Sequence, residues 1–122
     1  MPLVYAEGRF VKATAGAAIT AGQLVELTDD ETVAPASAGS TAVLGVALMD
    51  AAAGELVTVI TEGIVEVTAG GAVSAGSKVQ AADGGKVTAW SASAAGDSAK
   101  IVGIAITSAA ADGDKVKIKL EV

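Results

Sequence analysis

The sequence has no cysteine, no histidine and no asparagine, and only one arginine. Without Cys or His there are no ligands for a zinc finger or an iron–sulfur cluster, no thiol nucleophile, and no imidazole to activate a serine. A disulfide scaffold and a thiol redox role are excluded with them. Bases are scarce as well: 8 Lys and Arg stand against 14 Asp and Glu, a net charge of −6. Broad nucleic-acid binding needs a basic surface that releases counterions, and this balance argues against it. Aromatics are limited to Tyr5, Phe10 and Trp90. The uncharged stretch from Val33 to Met49 is broken by Pro35, Gly39 and Gly45, whereas a membrane span needs about 20 mostly apolar residues. Met1 to Glu7 has no basic segment leading into an apolar one, so no signal peptide is expected.

Ala (28 residues), Val (16) and Gly (15) make up nearly half of the 122 residues. That length suits one domain, which buries roughly two-thirds of its unfolded surface and needs neither disulfide nor metal to fold.

The most informative feature is an internal repeat. Phe10–Glu26 aligns with Ile64–Gln80 at an offset of 54, and 8 of the 17 positions are identical, with the shared pattern T-A-G-x-A-[IV]-[TS]-A-G-x-x-V. Val43-Leu44-Gly45-Val46-Ala47-Leu48 then matches Ile101-Val102-Gly103-Ile104-Ala105-Ile106 at an offset of 58. The extra residues fall in the Ser/Ala-rich stretch Ser91–Ala99. A third pair, Ala51 to Glu55 and Ala109 to Asp114, precedes an alternating segment in each half. The ordered blocks imply two similar halves, 10–62 and 64–122, forming a single β domain, with residues 1–9 as an N-terminal arm.

The repeat also decides an ambiguity in secondary structure. Val43–Ala53 alone could be helical, because Ala and Leu are strong helix formers. Its counterpart Ile101–Thr107 is β-branched and reads as strand, so both are expected to be strands. Val57 and Val59, and Val116, Ile118 and Leu120, alternate with polar residues as half-buried strands do. Lys115, Lys117 and Lys119 share the opposite face and, on a terminal strand, are expected to discourage edge-to-edge pairing. Asp83-Gly84-Gly85 between Val79 and Val87 signals a hairpin, with Asp29-Asp30-Glu31 in the matching place. Turns every 8–12 residues or so indicate an all-β fold, a compact small barrel or a β-sandwich.

No motif for chemistry stands up. In Gly71–Lys78 the order Ser77-Lys78 is wrong for a phosphate loop, which needs Lys directly after Gly, so the segment reads as a turn before a strand. Asp112-Gly113-Asp114 lacks the further ligands of a calcium loop. Asp29-Asp30-Glu31 has no partner for acid–base work and reads as solvated charge. No Ser sits in a G-x-S-x-G elbow. Lys86 lies near a hairpin tip, where a carrier domain bears its modified Lys, but its flanks Gly85 and Val87 lack the carrier motif. No catalytic residue, cofactor, metal or small-molecule substrate is expected. Two features suit binding. Leu3, Val4 and Tyr5 put apolar bulk on the arm, which either docks on a partner or folds back as a strand. Trp90 is either a core plug or an interface anchor.

The run Glu7-Gly8-Arg9-Phe10-Val11-Lys12-Ala13-Thr14-Ala15-Gly16, then Ala21-Gly22-Gln23-Leu24-Val25 and Leu44-Gly45-Val46-Ala47 followed by Asp50 to Glu55, resembles the tailed-phage capsid cement family of head decoration proteins. The likeness continues through Glu62–Val67, Gly76–Val79, Ile101–Ala105 and Val116–Leu120. It implies a structural virion protein on the outer surface of the expanded head, present in the host cytoplasm before assembly. It also implies binding to the major capsid protein, commonly as a trimer near local three-fold axes, without enzymatic activity. Members sometimes carry a RecA-type recombinase label, which the missing phosphate loop and acidic balance contradict. On this reading Leu3, Val4, Tyr5 and Arg9 are the candidate capsid contacts and Trp90 the candidate subunit interface. A tail or fibre module, a cell-surface domain and a small-barrel carrier domain are the alternatives.

Overall fold

The computed structural model describes residues 9–90 and 97–121. Among these, nine strands are formed: β1 (Arg9–Ala15), β2 (Leu24–Asp29), β3 (Thr32–Pro35), β4 (Val43–Ala47), β5 (Leu56–Thr68), β6 (Lys78–Ala82), β7 (Lys86–Ala89), β8 (Ile101–Ala105) and β9 (Lys115–Glu121). Short 3-10 turns occupy Asp83–Gly85 and Asp97–Lys100. Segments 43–47 and 101–105 are both strands, so β-branching in the second copy identified the conformation of the first. Each ends one residue sooner than its matching block, at a bend over Leu48 and Ile106.

The strands run β1-β3-β2-β4-β5-β9-β8-β6-β7, and β1 also pairs with β5, which closes the first five strands into a barrel. The 13-residue β5 belongs to both halves. Its first part pairs with β1, and its second part, from Glu62 to Thr68, pairs with β9. The second half repeats most of the ladder of the first, without the register shifts at Arg9/Phe10 and Leu27/Asp29. Val25 faces Gly45 as Val79 faces Gly103. Ile19 bridges Ala51 as Val73 bridges Ala109. The parallel contact of Ala15 with Val33 recurs as a single bridge between Ala69 and Val87.

The matched glycines Gly45 and Gly103 have one physical cause. Each follows a register shift, at Val25/Glu26 and Val79/Gln80, where the ladder bulges and the strands bend toward closure. The neighbouring backbone then comes so close that a Cβ would lie 2.0 Å from the Ile60 carbonyl oxygen at Gly45, and 2.2 Å from that of Lys119 at Gly103. No side chain fits there.

Two apolar cores result. The inside of the first barrel is filled by Ala13, Val25, Val33, Val57 and Val59 among others. The second core contains Val65, Val67, Val79, Val87 and Ile118, together with four residues from the outside of the first barrel: Ile60, Val46, Leu24 and Ala36. These four form one transverse row. Val46 pairs with both Ile60 and Leu24, and the Ala36 N–H donates to the Leu24 carbonyl at 2.9 Å. The row covers the mouth of the second barrel. The hairpin turn Asp83–Gly85 locks it there. The Gly85 N–H donates to the Ala36 carbonyl at 3.0 Å, the Gln23 side-chain amide donates to the Gly84 carbonyl at 3.0 Å, and the Asp83 carboxylate accepts from the Ala38 N–H at 2.9 Å.

One expectation is corrected. The terminal strand β9 is not an edge; it lies between β5 and β8. Lys115, Lys117 and Lys119 therefore have no edge to protect. They line the outer face of the second barrel, where the Lys115 ammonium donates to Thr68 Oγ1 at 2.7 Å and Lys119 pairs with Glu121 at 3.1 Å.

Candidate functional site

Carboxylates grouped in the sequence serve turns. One Asp114 oxygen accepts from the N–H groups of Ala110 and Ala111, both at 3.1 Å, and Glu55 accepts from the Ala52 N–H at 2.7 Å in the matching turn. Asp29 accepts from the Asp30 N–H at 2.8 Å at the exposed β2–β3 turn, where Glu31 takes a left-handed φ of 47°. Among the described residues no group of three or more acidic, His or Cys side chains is placed to hold a metal ion. Lys86 is not at the hairpin tip. It opens β7, and its ammonium is bound to Asp112 at 2.9 Å.

Among the described carboxyls, Glu26 is the one whose pKa is clearly lowered. It accepts hydrogen bonds from the Ser37 N–H at 2.8 Å and the Ser37 hydroxyl at 3.1 Å. The backbone bond lowers its pKa most, with serine hydroxyls adding to this and partial burial opposing it. A lowered folded-state pKa means a contribution to stability that is present above the unfolded carboxyl pKa and lost as pH falls through the folded value. Glu26→Gln is therefore expected to lower the melting temperature at neutral pH. The gap to wild type should narrow as pH drops below the ordinary Glu range. Thermal melts from pH 7 down to pH 3 would check this, and a constant gap would refute it.

The binding candidates are distributed as follows. Leu3, Val4 and Tyr5 lie outside the described residues. Arg9, assigned to the arm from sequence, is the first residue of β1; it stands opposite Glu62 and pairs with its carboxylate at 3.8 Å, both side chains exposed. Beside it, Phe10 is 51% exposed on the outer face of the first barrel. Reading the repeat from Phe10 onward placed this aromatic in the barrel proper. Its position at the outer start of a strand, next to the apolar arm, is the signal that marks it as a surface residue. Trp90 lies just past β7. It is half-buried, and its N–H donates to the Lys78 carbonyl at 2.8 Å. It thus occupies, in the second half, the position that Ala36 holds in the first.

These surfaces sit on a double barrel whose halves share β5. The phage cement protein family matches residues 7–120. The chain belongs to the phage cement protein family. No curated protein matches it closely. Among solved structures, the N base of head fiber gp8.5 in bacteriophage phi29 is similar to it, with a TM-score of 0.72 and 19% identity, covering 99% of this chain and 95% of that one. At that identity the likeness concerns the fold. The cement-family chain is a structural component of a phage virion.

Proposed function

We propose that the protein binds the outside of the expanded phage head, through the major capsid protein, and stabilises the shell there as a trimer. Membership of the cement family across residues 7–120 carries this reading. The architecture suits it: two barrels share one strand and are locked by backbone hydrogen bonds. A cement that binds only the expanded shell stabilises that state by mass action. Many modest contacts around a shell add up through multivalency. The net charge of −6 favours solubility before assembly.

The proposed shell contacts are Leu3, Val4, Tyr5 and Arg9, joined by the exposed Phe10. The test is co-sedimentation with undecorated expanded heads and with unexpanded proheads. Saturable binding to expanded heads alone is expected, and binding to neither would point to another virion part. Removing residues 1–9 should weaken binding about 10-fold or more, as loss of an anchoring cluster does, while the β-type circular dichroism spectrum persists. Full binding by that truncation would overturn the contact assignment.

A further inference from the structure

Each side of the contact between the two halves has an equivalent elsewhere in the chain. In the first half, the row Ile60, Val46, Leu24 and Ala36 is buried against the second half. By ladder position its equivalent is Lys119, Ile104, Lys78 and Trp90, which runs across β9, β8 and β6 to the end of β7. That second row lies on the outside of the second barrel. Both lysines are exposed, Ile104 is 36% exposed and Trp90 is half-buried.

The receiving side is duplicated in the same way. At the covered mouth of the second barrel, Val65 and Ala81 are fully buried. Their equivalents at the mouth of the first barrel are Val11 and Leu27, which are 39% and 44% exposed. The turn that grips the row in the second half is Asp83–Gly85. Its equivalent, Asp29-Asp30-Glu31, is exposed beside Leu27.

The geometry points to a head-to-tail contact in which the outer row of one copy docks on the open mouth of a second copy, repeating between molecules the packing already made within each. Charge selects the same occupant. The row carries Lys78 and Lys119 around an apolar centre, with Lys119 also paired to Glu121 at 3.1 Å, and the Asp29–Glu31 turn puts three carboxylates beside Leu27 at the mouth, so the two surfaces differ in sign and suit each other. Such a contact is heterologous, closing into a ring or continuing as a chain according to its rotation. It is looser than the internal one. Glu31 stands where Gly85 approaches the Leu24 carbonyl, a place with no room for a Cβ. Ionic pairing between exposed groups takes a larger share, and added salt should weaken it.

This inference does not depend on the shell-binding role, because the purified full-length protein is sufficient to test it. Sedimentation velocity over a range of concentrations should show reversible self-association that weakens as salt is raised. Lys78→Glu with Lys119→Glu should weaken it about 10-fold or more, and Asp30→Lys with Glu31→Lys should do the same. Mixing the two variants should restore association, because opposite charges then face each other again. Thermal melts would establish that both variants fold. A wild-type protein that stays monomeric at its highest soluble concentration, or association unchanged by both reversals, would overturn the proposal.

Discussion

Replacing Gly45 by alanine is expected to destabilise the protein by about 3 kcal/mol or more, at the upper end of what overpacking costs, and to lower the melting temperature by about 10 °C. The new Cβ would lie 2.0 Å from the Ile60 carbonyl oxygen and 2.9 Å from its carbon. A long side chain in the way could rotate aside, but this obstacle is the backbone of β5. Relief would require β4 to move away from β5, which breaks the Val46–Ile60 and Ala47–Val59 pairs that help close the first barrel. Gly103→Ala should behave alike, since its Cβ would lie 2.2 Å from the Lys119 carbonyl oxygen. Gly71→Ala is the control. It meets nothing nearer than Thr88 Oγ1 at 3.8 Å and should be almost neutral. Melting curves of the three variants would decide the matter; equal stability of Gly45→Ala and Gly71→Ala would refute the close approach.

The second large effect comes from exchanging residue types between equivalent positions. Leu24 and Lys78 correspond in the repeat, yet Leu24 is fully buried in the second core and Lys78 is exposed. Leu24→Lys would place an ammonium group among the buried side chains of Val46, Ile60 and Ala36. Burial of an unpaired charge costs about 4 kcal/mol or more, a large part of the stability of a domain this size. The variant should be largely unfolded at modest urea concentrations, or should fold with the second barrel uncovered and bind hydrophobic dyes. Lys78→Leu is the reverse change on an open surface and should alter stability by less than about 0.5 kcal/mol. Urea titrations of the pair would reveal the asymmetry. Comparable losses in both would mean that the two rows do not differ as described.

Legibility from sequence was high where the signal is local. The alternation of Val57 and Val59, and of Val116, Ile118 and Leu120, marked the inward face of β5 and β9, because side chains on a strand alternate whatever its neighbours are. The hairpins at Asp29–Glu31 and Asp83–Gly85 were legible for the same kind of reason: turn residues act within a few positions of themselves. Binding surfaces were less legible. Trp90 stood out as a rare residue, but its place at the end of an exposed row depends on three strand pairings. Phe10 is marked as a surface residue only by its place at the start of a strand, because alternation assigns a face without saying which face stays open to solvent.

Local pattern is enough to specify an all-β chain with a repeated motif, glycine at its turns and neither Cys nor His. Strand propensity, alternation and turn preference all act over short range, and composition requires no structure at all. Long-range strand pairing sets the rest: β5 serves both halves, β9 is an interior strand, and Gly45 and Gly103 stand against a neighbouring backbone. It also decided that one of two equivalent rows is buried while the other faces solvent. These facts depend on which distant strands come together. Backbone hydrogen-bond groups are the same in every strand, so local pattern assigns a face to each residue but does not choose its partner across the ladder.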